Sequence, residues 1–275
     1  MPIPAAPSAT IAETEHRIPV AEGSLFAKSW VPEAPGCGPA APIILFHDSL
    51  GCVDLWRGFP RRLAAETGRR VIAYDRLGFG RSDPHPGRLE VDFVAAEGAG
   101  VVPRLREAFG VTDFIACGHS VGGGMAAETA ARFPSACRAL VTIAAQAFIE
   151  DMTLAGIRVA QREFADPANL AKLARYHGDK ARWVADAWIG TWLSPEFADW
   201  TLDRALAAVR CPVLAIHGDR DEYGSAEHPA RIAAGRGTVR ILSETGHVPH
   251  REKEAPLVEV IGAFLRGADA LGLPP

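Results

Sequence analysis

The chain predicts an α/β fold built on a mostly parallel sheet, and three patterns in its 275 residues carry that expectation. Short runs rich in Val, Ile, Leu and Phe recur at residues 42–47, 70–75, 112–118, 139–144 and 212–217, each bounded by Gly, Pro or Asp. Their near-continuous apolar character suits strands covered on both faces. The stretches between them are long enough for crossover helices, so strand and helix alternate in the rhythm that pairs strands in parallel.

The elements follow in order. The Pro- and Ala-rich start, Met1 to Pro7, lacks the basic segment and apolar run of a secretion signal and reads as a short frayed leader. Residues 16–20 and 24–31, joined by Ala21, Glu22 and Gly23, read as an antiparallel hairpin that opens the sheet. Apolar positions three and four apart predict helices over 56–67, 91–109, 121–132 and 256–271, and a further strand is expected at 239–242. Between about 147 and 208 the rhythm changes to helical periodicity with no convincing strand. That stretch holds Trp183, Trp188, Trp192 and Trp200, four of the six tryptophans. These rings either form the core of a small helical insertion or line a pocket with its underside, and an insertion with two faces can do both. Trp188 and Trp192 are assigned to substrate contact. The expected division is therefore one core in two parts, 1–146 and 209–275, with a helical cap at 147–208 after the sixth strand.

Composition narrows the function classes. Hydrophobic residues at 48%, charged residues at 23% and a mean hydropathy of +0.05 describe a packed globular chain. Lys and Arg number 29 against 33 Asp and Glu, a net charge of −4, and no basic block offers a footprint for nucleic acid. Five cysteines without a CxxC pair argue against both a disulfide framework and structural zinc, which points to reduced thiols and a cytoplasmic setting. Apolar runs fall far short of the ~20 residues of a membrane span. The expected partner is a small-molecule substrate, with no metal and no cofactor; monomer and homodimer stay open.

The strongest motif is Gly118-His119-Ser120-Val121-Gly122, which follows the 112–118 strand and opens the 121–132 helix. A serine lifted on a sharp strand-to-helix turn is strained, and glycines on either side let strand and helix approach without Cβ collisions. The helix N-terminus adds a positive dipole, with the Val121 N–H aimed at a developing oxyanion.

Taken with three further stations, the chain resembles the α/β-hydrolase fold family over almost its whole length. His47-Asp48-Ser49-Leu50-Gly51 resembles the family's HGxxG oxyanion loop, and Asp75-Arg76-Leu77-Gly78-Phe79-Gly80-Arg81-Ser82 its DxxGxGxS segment. Gly218-Asp219-Arg220-Asp221 and then Gly246-His247 complete the order Ser, acid, His. The resemblance implies Ser120 as nucleophile, His247 as base and Asp221 as acid, leaving Asp219 as a turn carboxylate and Glu222 as its solvated neighbour. His250 is the first rival of His247 and reads as a rim residue or the start of a helix. His119 reads as a packing residue bordering the substrate, and His47 and His217 as structural residues at strand ends. His16, His85, His177 and His228 have no supporting context.

Asp48 departs from the family, since HGxxG has glycine there. It either turns outward to bind backbone amides or faces the pocket, where its charge tilts specificity. By position Ser49 supplies the second oxyanion N–H, with Leu50 as fallback. Serine at 120 argues against the dehalogenase and epoxide chemistries, which use aspartate. The expected activity is hydrolysis of a small or medium carboxylic ester, lactone or thioester through an acyl-enzyme. Carbon–carbon bond hydrolysis of a diketo acid, cofactor-free perhydrolysis and non-catalytic ligand sensing are the alternatives.

Overall fold

The computed structural model describes residues 10–33, 40–235 and 237–270. The chain opens with a hairpin, β1 (Ile11–Val20) and β2 (Gly23–Pro32), followed by β3 (Ile43–Phe46), α1 (Phe59–Thr67), β4 (Val71–Tyr74) and α2 (Phe93–Phe109). Next come β5 (Phe114–His119), α3 (Val121–Arg132) and β6 (Cys137–Ile143). Four helices then intervene: α4 (Asp151–Glu163), α5 (Pro167–His177), α6 (Ala181–Trp192) and α7 (Asp203–Ala208). The chain finishes with β7 (Val213–Gly218), α8 (Glu227–Ala233), β8 (Gly237–Leu242), α9 (Pro249–Glu252) and α10 (Glu254–Ala270).

All eight strands join one sheet in the order β1-β2-β4-β3-β5-β6-β7-β8. The hairpin and its junction with β4 are antiparallel, and every pairing from β4 to β8 is parallel. Each residue of β3, β4, β5 and β7 is buried, which is why their sequences show no polar alternation. Ile44, Phe46, Ile72 and Tyr74 face one layer with Leu105 of α2 and Met125 of α3. Their neighbours Ile43, Leu45, Val71 and Ala73 face the other, against Leu63 of α1 and Ile261 of α10.

Several boundaries differ from the sequence expectation for physical reasons. β1 begins at Ile11 and not at 16, because its outer half carries polar residues that pair across the ladder instead of into the core, as Glu13 does with Lys28 at 2.7 Å. The helix expected over 56–67 splits into a 3₁₀ turn, Val53–Trp56, and α1; Arg57 between them has φ 53°, and Pro60 sits in the first turn of α1. The short helices α8 and α9 have too few residues to show a period. The expected leader at residues 1–7 lies outside the described residues.

The stretch between β6 and β7 has a closed neck. The Leu202 N–H donates to the Ala147 carbonyl at 2.8 Å, and Phe148 forms a bridge with Thr201. Helices α4, α5 and α6 project beyond this neck, whereas α7 follows it and packs back on α3. Cys52, Cys117, Cys137 and Cys211 are buried free thiols, while Cys37 lies outside the described residues. Burial pushes the Cys52 and Cys117 thiols up to about 12, so neither carries thiolate character near neutral pH. Among the described residues no helix is long and apolar enough to cross a membrane.

Candidate active site

Strand β5 delivers Ser120 directly onto the turn into α3 at φ 54° and ψ −128°, a backbone conformation that costs of order 1–3 kcal/mol. The surroundings hold it there. The Ser120 N–H donates to the Ile143 carbonyl at 2.9 Å, and its own carbonyl accepts from the Gly123 N–H at 2.8 Å. The flanking glycines are required by the close approach, because a Cβ at Gly118 would collide with the Gly122 carbonyl and one at Gly122 with that of Phe46. Gly118→Ala is therefore expected to destabilise the fold by about 3 kcal/mol and lower the melting midpoint by roughly 6 °C or more, read by circular dichroism. An unchanged midpoint would mean that the turn opens to admit a methyl group.

His247 reaches this serine from the loop between β8 and α9, its Nε2 lying 3.0 Å from Ser120 Oγ. Its Nδ1 lies 2.9 Å from both carboxylate oxygens of Asp221, on the loop after β7. Asp221 Oδ1 also accepts the Tyr223 N–H at 2.8 Å, and Oδ2 sits 3.2 Å from His217 Nε2. Burial works to raise the Asp221 carboxyl, but the hydrogen bond and charge of His247, then His217 and the Tyr223 amide, outweigh it and leave the group below its ordinary value. Asp221 is thus an anion facing Nδ1, which requires a proton on that nitrogen and leaves Nε2 free to accept. The three residues singled out from the sequence meet in hydrogen-bond contact.

The loop after β3 brings Ser49 to the same place. Among the described residues neither the Ser49 N–H nor the Val121 N–H donates to a protein acceptor, whereas the Leu50 N–H is taken by Asp48 Oδ1 at 2.9 Å. Leu50, the fallback donor, is therefore already committed. Asp48 combines both of its anticipated readings: it binds a backbone amide, and it borders the cavity. Its Oδ2 meets His119 Nδ1 at 3.2 Å, while His119 Nε2 lies 2.7 Å from the His247 carbonyl. Burial opposes ionisation of Asp48, but the hydrogen bond and charge of His119 hold it far below the usual carboxylate range. With a carboxylate on one nitrogen and a carbonyl on the other, His119 clasps the Ser49 loop to the His247 loop.

His47, His217 and His250 are packed inside the fold. His47 Nδ1 donates to the Asp48 carbonyl at 2.8 Å and Nε2 accepts the Arg76 N–H at 3.1 Å; burial and the Arg76 charge hold it well below its ordinary value. His217 donates to the Gly224 carbonyl at 2.8 Å, and burial pushes it down as well. His250 does start a helix, α9, yet it is no rim residue: it is 3% exposed and packs against Trp56, Phe59 and His119. Asp219 is a turn carboxylate that accepts the Thr245 N–H at 3.2 Å, and Glu222 is exposed at the cavity.

A cavity of about 470 Å³ opens over Ser120. Its inner wall includes the buried residues Ile157, Leu173 and Trp192 with the part-buried Trp188 and Tyr223; its mouth carries the exposed residues Glu163, Lys172, Glu222 and Arg251. Of the four clustered tryptophans, Trp188 and Trp192 line this cavity. Trp200 stacks on Phe197 at 5.3 Å, and Trp183 packs against Phe79 and His85. Among the described residues no His, Cys, Asp or Glu side chains converge in a group that could hold a metal ion.

Two features of the site escape the sequence. Gln146, three residues past β6, is 2% exposed, and its Oε1 accepts a hydrogen bond from Ser120 Oγ at 3.3 Å. The signal that could have found it is positional: it follows the C-terminal end of the strand beside β5, where functional side chains of open α/β sheets gather. His228 is fully buried and links two loops, accepting the Ala147 N–H at 3.1 Å and meeting Glu150 Oε1 at 2.8 Å; Glu150 in turn accepts the Ser225 N–H at 2.7 Å. Burial pushes His228 down, although Glu150 pulls against it. Only the tertiary fold brings these partners together.

The 2-hydroxymuconate semialdehyde hydrolase of Pseudomonas sp. (strain CF600) is 26% identical over 264 residues, covering 86% of this chain and 90% of that protein. Among solved structures, a 2-hydroxy-6-oxo-6-phenylhexa-2,4-dienoate hydrolase from a Rhodococcus strain superposes with a TM-score of 0.73 at 17% identity, over 94% of this chain and 100% of that one. A thermophilic esterase from Thermogutta terrifontis gives 0.68 at 20% identity, over 93% and 99%. Residues 41–187, more than half of the chain, match the alpha/beta hydrolase fold family, and the chain belongs to that family of hydrolases.

Proposed function

We propose that the protein hydrolyses a small or medium carboxylic ester, lactone or thioester through an acyl-enzyme on Ser120. The observation that carries this reading is the continuous relay from Ser120 Oγ through His247 to Asp221, at 3.0 and 2.9 Å, at the floor of a cavity. Asp221 keeps the proton on Nδ1, so His247 Nε2 removes the serine proton as Oγ attacks the ester carbonyl. The carbonyl oxygen, now negative, is held by the uncommitted Ser49 and Val121 N–H groups, the latter at the positive end of α3. His247 then protonates the leaving alcohol, and water repeats the sequence to free the acid. A cavity of this volume with aromatic and aliphatic walls suits a compact apolar acyl or aryl group.

A nitrophenyl ester series from acetate to laurate tests the reading directly. Hydrolysis is expected to be fastest for the short and medium members and to fall at laurate. The second reading, carbon–carbon bond hydrolysis of a diketo-acid type substrate by the same residues, is favoured by the semialdehyde hydrolase, whose likeness spans 86% of this chain. Negligible rates across the ester series, together with turnover of a vinylogous diketo acid, would select it.

A further inference from the structure

The proposed ester chemistry leaves Gln146 without a task, yet its placement is heavily constrained. Two residues earlier Ala144 has φ 49°, a strained conformation for a residue with a Cβ, and its N–H is bound to the Ile216 carbonyl at 2.8 Å. One residue later, the Ala147 N–H is bound to His228 and its carbonyl to the Leu202 N–H. The backbone on both sides is thus fixed, and the buried carboxamide is delivered to within 3.3 Å of the nucleophilic oxygen.

The serine hydroxyl has a single proton, and in the reactive arrangement it goes to His247 Nε2, the nearer partner. Gln146 Oε1 is then a spare acceptor beside Oγ. It approaches from the β6 side, whereas Ser49 approaches from the β3 side, because β5 lies between those two strands. An ester has no use for such a group. An amide does: attack on its carbonyl leaves the nitrogen lone pair pointing away from the histidine, so the nitrogen must invert before it can be protonated. An acceptor that takes the N–H stabilises the inverted arrangement, an interaction made only on the way to the transition state.

We propose that Gln146 Oε1 accepts the scissile N–H of an amide, and that this site hydrolyses compact apolar acyl amides, anilides in particular, as well as esters. The proposal rests on the acyl-transfer reading above. Ser120 Oγ bonds to the amide carbon as its proton passes to His247 Nε2, and the carbonyl π pair moves onto the oxygen held by Ser49 and Val121. The N–H turns to Gln146, the lone pair turns to His247 and takes up the proton, and the C–N bond breaks to release the amine. Water then frees the acid from Ser120.

The test compares nitrophenyl butyrate with butyryl nitroanilide, which share an acyl group and differ at the scissile atom. The wild type is expected to cleave both, and Ser120→Ala neither above background. Gln146→Met, close in shape but without an acceptor, lowers the anilide-to-ester ratio of kcat/KM by about tenfold or more. Gln146→Glu, which retains an acceptor oxygen, recovers part of that ratio. Rates are normalised to sites titrated with a fluorophosphonate, so misfolded protein does not enter. Ester cleavage without anilide cleavage in the wild type, or an unchanged ratio in Gln146→Met, overturns the proposal and leaves the acyl-transfer reading intact. A wild type inactive on both substrates overturns the two together.

Discussion

Ser120→Ala is expected to lose fluorophosphonate labelling completely and to turn esters over about 10⁵- to 10⁶-fold more slowly than the wild type. The residual rate is what the cavity and the two backbone N–H groups supply without a nucleophile. Folding is expected to be unaffected, because among the described residues the hydroxyl has only His247 and Gln146 as partners, and alanine inherits the same strained backbone. Labelling at wild-type stoichiometry in the alanine variant would place the nucleophile elsewhere. A wild type that folds but does not label would remove the basis of the proposed reaction.

Asp221→Asn is expected to reduce kcat by about 10⁴-fold with an unchanged circular dichroism spectrum. The asparagine oxygen takes over the Tyr223 N–H, which turns the amide NH₂ toward the imidazole. His247 Nδ1 then becomes an acceptor, and the proton moves to Nε2, where it blocks removal of the serine proton. Asp219→Asn is the matched control, since Asp219 accepts a turn amide from Thr245, and its activity is expected to stay within about twofold of the wild type. The reverse pattern, an inactive Asp219→Asn beside an active Asp221→Asn, would make Asp219 the acid in place of Asp221.

What the sequence made legible is what local chemistry encodes. The buried strands announce themselves because both faces need apolar residues, and the turn at Ser120 because close approach of strand and helix excludes a Cβ at 118 and 122. The outer half of β1 is illegible for the opposite reason: its polar side chains pair along the ladder, leaving no apolar alternation. Gln146 belongs to no motif, and its place beside Ser120 depends on β6 lying next to β5 in the sheet. Of the two readings of His250, rim residue or start of a helix, the first fails because its burial is decided by Trp56 and Phe59, almost two hundred positions earlier in the chain. Both readings of Asp48 were open to the sequence, but its contact with His119 was not, because it forms only where β3 and β5 lie side by side.

The neck formed by Ala147, Phe148, Thr201 and Leu202 bears on how such a molecule can change over generations. A segment of about fifty residues leaves and rejoins the core at adjoining points, so to the rest of the chain it is a loop whose ends are already tied. The entropy of closing a loop grows only logarithmically with its length, and doubling it costs about 0.6 kcal/mol. Inserting or removing residues in this segment therefore changes the closure entropy little, while it rebuilds the wall that holds Trp188 and Trp192. The helical wall of the cavity and the residues joined to Ser120 by hydrogen bonds thus occupy separate stretches of the gene.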